Sequence, residues 1–326
     1  MTVDVVCLRP EADFTRVGVR APEALTVTYR KPDDGELASL MKAARALVIP
    51  AVGPKLPPGL FEGAALKLVQ VTGAGVDRLD RDALERLGIP VANVAGGSNA
   101  AVAEYVTTAA GVLLRRFAWA SSETRKGNYA AFRARMLADN LGGFEGLTAG
   151  VVGLGTIGLA VARALQAQGC RIVYYDPKPA DPAGTAEIGA EPASLQDLLA
   201  RSDIVTLHVP LLPATEGLIG EAELAAMKPG AVLIQAARGG IVDETALAAA
   251  IESGHLGGAA VDVYSSEPPP PDNPLLTLSG EAAERCLLTP HIAGVTGQAS
   301  AFLFRTAWQN VERVLLEGQP PLNRVY

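Results

Sequence analysis

An arginine and a histidine stand just past the ends of two apolar runs, Arg238 in IQAARGGIVDE and His291 in LLTPHIAG. In an α/β sheet, the carboxyl ends of the strands face the crevice where ligands bind. An imidazole there can take a proton from a reacting oxygen or return one. A guanidinium can grip a carboxylate through two parallel hydrogen bonds. Exchange of a hydride at an oxygen-bearing carbon needs both groups, held in fixed geometry over the carbon. The two glycines after Arg238 suggest backbone crowding against a ligand, although a strand-end ion pair is the plainer alternative for the arginine. The other two of the chain's three histidines suit the task less well. His208 lies inside the apolar run LHVP and reads as a packing residue beside a cofactor, and His255 in SGHLGG reads as a solvated helix cap. Glu267 follows DVYSS; a carboxylate bonded to a histidine fixes its tautomer and favours the charged ring. On spacing alone, however, Glu267 reads as a surface-loop residue.

A second constellation would supply the hydride carrier. Gly153, Gly155 and Gly158 form a G-x-G-x-x-G pattern in AGVVGLGTIG. With 34 glycines in the chain the pattern means little by itself, but an apolar strand enters it and a helix leaves it. That context predicts a turn at Gly153, room for a pyrophosphate over Gly155, and close helix–strand packing at Gly158. The helix N-terminus would add free N–H groups and partial positive charge. Asp176 ends the next strand in IVYYDPKP. A carboxylate there can bond both adenosine ribose hydroxyls and would repel a 2′-phosphate, which favours NAD over NADP. Lys178 nearby softens that preference, and Asp176 can also begin the Asp-Pro turn.

These residues need a scaffold of alternating strands and helices, and the pattern supplies one. In the first hundred residues, strands are expected at Val3–Leu8, Thr26–Tyr29, Ala46–Ile49, Lys67–Thr72 and Pro90–Asn93, with helices at Glu36–Ala44 and Arg81–Leu87. This is a small α/β domain of flavodoxin-like size. A helix over Ser98–Phe117 is apolar nearly all round and so expected to be buried, with Ser98 or Asn99 as its N-cap. Six further strands are expected at Ala149–Gly153, Arg171–Asp176, Asp203–Val209, Ala231–Ala236, Gly258–Val263 and Cys286–Thr289, the strand count of a full dinucleotide-binding sheet. Their intervening helices are expected at Ile157–Gln168, Ser194–Ala200, Glu221–Met227 and Glu244–Ser253. The Pro-rich run Glu267–Pro274 must be a stiff loop. An amphipathic helix over Gln298–Glu317 closes the pattern, with Gly318 as its C-cap.

Composition narrows the field. The 326 residues are too many for one ordinary core and suggest two domains. A net charge of -7 and no Lys/Arg cluster argue against nucleic acid as a partner. No basic start followed by an apolar stretch marks a signal peptide, and no apolar run is long enough to span a membrane, so a cytoplasmic enzyme is expected. Cys7, Cys170 and Cys286 are scattered and read as reduced, buried thiols; no metal site is expected.

The motifs GLGTIG, HVPL, ARGGIVDE, DVYSSEPP and TPHIAG, in this order and spacing, resemble the NAD-dependent D-isomer-specific 2-hydroxyacid dehydrogenase family. VTGAGVDRLD and IPVANVAGGSNAAVAEY resemble its substrate loop and hinge, and NVERVLLEGQPPLNRVY its usual ending, so the resemblance covers nearly the whole chain. It implies a Rossmann-type doubly wound parallel sheet for NAD at 100–292, and a discontinuous flavodoxin-like substrate domain at 1–99 plus 293–326, with a cleft between them. It implies interconversion of a small 2-keto acid and its D-2-hydroxy acid. Arg238 would bind the substrate carboxylate and keto oxygen, His291 would be the acid/base, and Glu267 its carboxylate partner. Backbone N–H groups of Ala74, Gly75 and Val76 would bind the substrate carboxylate. Asp262 would lie near the nicotinamide carboxamide. Gly153, Gly155, Thr156, Ile157, Gly158, Asp176, His208, Val209, Pro210, Thr215, Ala236, Ala237, Arg238, Asp262, His291, Ala293 and Gly294 would form the NAD site. Members usually form homodimers through the nucleotide domain, partly by the helix matching Ala101–Phe117. Relatives of other classes include NAD-sensing corepressors and dehydrogenases of formate or phosphite. There are departures: Thr156 stands where a basic residue is frequent, Gln235 where Asn is usual, and Ile49–Pro57 offers only Lys55 where phosphoglycerate-type members carry arginines. The last point, with no regulatory domain expected after Tyr326, weighs against a phosphoglycerate enzyme.

Overall fold

A computed structural model of the chain describes residues 3–178 and 180–326. The chain divides into two compact units, residues 1–98 with 295–326, and residues 99–294.

The first unit is built on five strands: β1 (Val5–Cys7), β2 (Val27–Tyr29), β3 (Ala46–Ile49), β4 (Leu68–Val71) and β5 (Val91–Ala92), in the order β2-β1-β3-β4-β5. All pairs are parallel. β1, β3 and β4 are buried throughout, which explains their unbroken apolar runs: helices cover both faces, so no polar alternation is needed. Met41, Phe61 and Leu84 fill one face. Phe14, Phe304 and Trp308 fill the other, with the Phe14 ring centroid 4.8 Å from that of Phe304 and 5.3 Å from that of Trp308, both pairs tilted. The last two come from the helix Gly297–Leu315, capped by Thr296 Oγ1 accepting the Ala299 N–H at 3.1 Å. The same helix fixes the interior polar pair in which Asn310 Nδ2 donates to Gln70 Oε1 at 2.6 Å.

The second unit carries seven parallel strands: β6 (Thr148–Val152), β7 (Arg171–Tyr175), β8 (Glu191–Pro192), β9 (Ile204–Leu207), β10 (Val232–Gln235), β11 (Gly258–Val261) and β12 (Cys286–Leu288). Their order is β12-β11-β10-β9-β6-β7-β8. The strand order reverses between β6 and β9, where open α/β sheets bind ligands. Six strands were expected, and β8 is the addition. It is a two-residue exposed edge strand whose Glu and Pro both disfavour sheet, and Pro is tolerated there because the edge makes no demand on its N–H.

The helix expected over Ser98–Phe117 runs from Asn99 to Leu114 and buries Val102, Val106, Ala110 and Leu113 within its own unit. Asn99 is its first residue and not its cap, since Asn99 Oδ1 is buried without a partner. The helix stops before Arg116, which adopts φ +50°. Two further helices follow, Phe117–Arg125 and Tyr129–Ala138, packed through Trp119 and Phe132 at 5.2 Å. Among the described residues, no helix is long and apolar enough to cross a membrane.

Candidate active site

The glycine loop leaves β6 at the switch point. Gly153 has φ +91°, and a Cβ there would lie 2.8 Å from the His208 carbonyl. A Cβ on Gly158 would lie 2.0 Å from the Gly153 carbonyl. The protein's own packing therefore demands both glycines. Gly155 differs: a Cβ there would meet nothing within 4 Å. Open space lies over this turn, directly before the helix Thr156–Ala167, whose first N–H groups have no partner inside the helix. This is the cradle a dinucleotide's pyrophosphate needs, with Gly155, Thr156 and Ile157 at its rim, so the loop fits NAD. Asp176 fastens the loop to the end of β7. Its carboxylate accepts the Leu154 N–H at 2.8 Å and the Lys178 N–H at 2.9 Å. A carboxylate has lone pairs to spare after these two bonds, enough for ribose hydroxyls.

Opposite the loop, His208 and Val209 leave β9. The Val209 side chain packs on Gly153. His208 Nε2 lies 2.9 Å from Thr206 Oγ1, and burial pulls the ring's pKa down to about 3, so it is neutral at ordinary pH. Thr215, expected beside the cofactor, spends its hydroxyl on its own loop: it donates to the Pro210 carbonyl at 2.6 Å and accepts the Leu212 N–H at 2.8 Å. His255, expected to be solvated, places Nε2 3.1 Å from the Leu224 carbonyl and is partly buried.

The His208 pKa has a consequence for stability. An unfolded histidine takes a proton near pH 6.5, whereas the folded one takes it near 3. Between those values the unfolded state binds more protons, so stability is full above pH 6.5 and is lost as pH falls. The loss is at most about 1.4 kcal/mol per pH unit, an upper bound because the residue keeps some exposure. His208→Gln should therefore unfold with a shallower dependence of melting temperature on pH between 7 and 5 than the parent. Parallel curves would contradict a neutral buried ring.

Arg238 follows β10 in a turn that is built from within. Gln235, buried, donates from Nε2 to the Arg238 carbonyl at 2.7 Å and accepts the Ala237 N–H at 3.1 Å. Arg238 Nη1 donates to the Ala237 carbonyl at 2.7 Å. A Cβ on Gly239 would fall 1.8 Å from the Tyr264 carbonyl. The crowding expected at these glycines is thus protein against protein: Gly239 lets the turn after β10 press on the turn after β11. The latter carries Glu267, whose Oε1 accepts the Tyr264 N–H at 3.2 Å. Glu244 braces it further, accepting the Ser265 N–H at 2.6 Å and its hydroxyl at 2.7 Å. Sequence reading missed Glu244; its only signal was its place at the start of the helix Glu244–Glu252, capped by Asp243.

His291 meets Glu267 here. Its Nδ1 lies 2.8 Å from Oε2 and 3.0 Å from Oε1. Glu267 is therefore not a free surface-loop side chain. His291 adopts φ +55°, a left-handed conformation costing a non-glycine residue about 1–2 kcal/mol. Asp262 offsets that cost. Its carbonyl accepts the His291 N–H at 2.8 Å, and its carboxylate accepts the Ile292 and Ala293 N–H groups at 2.8 Å each. Thr289 Oγ1 donates to the same carboxylate at 2.6 Å and lies 2.6 Å from the Tyr105 hydroxyl. Asp262 is fully buried. Through these bonds it braces the His291 turn. Ala236, Ala237, Ala293 and Gly294 flank these turns at the same end of the sheet.

Ala74, Gly75 and Val76 lie in the other unit, in the turn after β4. Asn93 Nδ2 donates to the Ala74 carbonyl at 2.7 Å, and the Leu79 N–H to the Val76 carbonyl at 3.0 Å, which fixes the turn's course.

Comparison with known proteins identifies the family. Residues 108–293 match the family model of the D-isomer specific 2-hydroxyacid dehydrogenase NAD-binding domain. The chain is 40% identical over 250 residues to (S)-sulfolactate dehydrogenase of Chromohalobacter salexigens, covering 76% of each protein. It is 39% identical over 234 residues to D-3-phosphoglycerate dehydrogenase of Archaeoglobus fulgidus, covering 72% of this chain and 42% of that protein. The chain spans about half the length of the phosphoglycerate dehydrogenases it matches. Its fold superposes on the crystal structure of the TT0316 protein of Thermus thermophilus with a TM-score of 0.84 and 32% identity, covering 99% of this chain and 100% of that one. The chain belongs to the D-isomer-specific 2-hydroxyacid dehydrogenase family, and its second unit carries that family's NAD-binding domain.

Proposed function

We propose that this protein is an NAD-dependent oxidoreductase that interconverts a small 2-keto acid and its D-2-hydroxy acid. The observation that carries the reading is the His291–Glu267 pair at 2.8 Å, at the same end of the sheet as the glycine loop. Nδ1 is occupied by the carboxylate, and Nε2 has no described partner, so Nε2 is the atom that exchanges a proton with the substrate. NAD held at the glycine loop of Gly153, Gly155 and Gly158 would supply or take up the hydride. In reduction, the doubly protonated ring gives its Nε2 proton to the C2 oxygen as C2 becomes a secondary alcohol. In oxidation, the neutral ring takes that proton back. Acid therefore favours reduction and base favours oxidation. Glu267 holds the tautomer and orientation that keep Nε2 available. Arg238 binds the substrate carboxylate and polarises the keto oxygen, and the N–H groups of Ala74, Gly75 and Val76 assist at the carboxylate. A panel of 2-keto acids with NADH, followed by nicotinamide absorbance, tests the reading; oxidation of NADH by none of them would refute it.

The coenzyme is NAD and not NADP. Asp176 stands at the end of β7, where the adenosine ribose lies in such sheets, and its negative charge repels a 2′-phosphate. NADH should exceed NADPH by at least about tenfold in kcat/KM, roughly 1.4 kcal/mol, and Asp176→Ala should narrow the gap. Equal efficiency with both coenzymes would contradict this.

The assembly is a homodimer through the second unit. Phe117, Tyr129 and Leu137 are exposed on the two helices that follow Leu114, more apolar surface than a solvated arm requires. Three free cysteines, Cys7, Cys170 and Cys286, suit the reducing cytoplasm.

A further inference from the structure

We infer that Arg78 is a specificity-determining residue: its buried, uncompensated guanidinium selects 2-keto acids that carry a second anionic group. The inference rests on the reaction proposed above. In the first unit the strand order reverses between β1 and β3, so the loops leaving those strands flank its switch point. The loop after β3, residues 50–56, is built around Arg78. Nη1 donates to the Pro50 carbonyl at 3.0 Å and Nε to the Pro54 carbonyl at 2.9 Å, while the Arg78 carbonyl accepts the Leu56 N–H at 2.9 Å. The residue is 3% exposed, and Nη2 is buried with no hydrogen-bond partner. Among the described residues no carboxylate pairs with it. The nearby Arg9 is itself paired with Asp13 at 2.9 Å, and burial together with Arg9's charge lowers the Arg78 pKa.

An unpaired buried cation is costly, by several kcal/mol where no counter-charge relieves it. Neutral carbonyls satisfy two of its donor positions but supply no charge. The cover over it is thin: Gly53 has φ +129°, and a Cβ there would sit 3.1 Å from the guanidinium carbon. Bare backbone thus rests on the cation, and with little water around it the charge is weakly screened at the carboxyl edge of β3. Arg78 lies two residues beyond Val76, in the turn assigned to the substrate carboxylate. That carboxylate is already assigned to the turn's own N–H groups. The Arg78 field is left for a second anion at the far end of the substrate: a carboxylate, sulfonate or phosphate. The arginines absent from residues 49–57 are replaced by a charge from beneath.

The test compares kcat/KM with NADH for oxaloacetate and for 2-oxovalerate, which is of similar length but lacks the second charge; 3-sulfopyruvate separates sulfonate from carboxylate. The parent should prefer one or both dianionic acids by at least about tenfold, and Arg78→Met should reduce that ratio at least about tenfold. Arg78→Lys should retain part of it. NADH affinity, set by residues of the other unit, reports that each variant is folded. A parent ratio near one, or an unchanged ratio in Arg78→Met, would overturn the inference. Should NADH bind while no 2-keto acid is reduced, the proposed reaction is what fails, and Arg78 is then judged by sulfate. At fixed ionic strength, sulfate should raise the melting temperature of the parent more than that of Arg78→Met; equal shifts would overturn it.

Discussion

His291→Ala should lower turnover in both directions by about 10²–10⁴-fold, the usual contribution of a positioned proton donor or acceptor. Among the described residues, no other histidine at this end of the sheet can replace it. His208 is the other histidine beside the loop, and its ring is held neutral by burial, with a pKa near 3. It cannot deliver a proton at neutral pH. NADH affinity should change little, because Asp262 still braces the turn through the Ile292 and Ala293 N–H groups when the imidazole is gone. Glu267→Gln should give a smaller loss, since the amide keeps a hydrogen bond to the ring but can hold either tautomer. Steady-state kinetics with NADH fluorescence titration checks both variants. A His291→Ala protein within a few-fold of the parent would remove the acid/base assignment.

Arg238→Ala should lose about 2–5 kcal/mol of transition-state stabilisation, the range for truncating one member of a buried charge pair. In rate terms that is roughly 30- to 5,000-fold in kcat/KM. The loss should appear with the acid substrate and not in coenzyme affinity. The Arg238 turn is supported from its backbone, through Gln235 and through Gly239 against Tyr264, so removing the side chain leaves the turn standing. Arg238→Lys should recover only part of the rate, because an ammonium cannot present the two parallel donors that a carboxylate matches. Activity of Arg238→Ala within a few-fold of the parent would exclude it from the substrate site.

Apolar runs such as ALVI and VLIQ announced β3 and β10 because strands buried on both faces need no polar alternation. The glycine loop was legible for the same reason its geometry is strict: Gly153 and Gly158 have no room for a side chain. Elements held by tertiary context were not legible. β8 is Glu-Pro on an open edge, and the helices after Leu114 follow a break at Arg116 that no glycine or proline marks. In the site, periodicity identified His291 and Arg238 by their strand ends but gave Glu267 no distinction, since a carboxylate in a Pro-rich loop looks like surface. What sets it apart is the Tyr264 N–H and the Glu244 brace, contacts made across the chain. Asp262 was noticed for another reason, and its burial beneath the His291 turn comes from a hydrogen-bond network that spacing does not encode. Arg78, one charge among many in the sequence, is distinguished only by being buried without a carboxylate.

The proposed reaction requires direct hydride transfer between nicotinamide and C2 of a 2-keto acid. It is tested most directly by incubating the protein with a 2-keto acid and NADH deuterated at both C4 positions, then isolating the 2-hydroxy acid. One deuterium at C2 and the D configuration are expected. A product of L configuration, one without deuterium at C2, or no product with any 2-keto acid would contradict it.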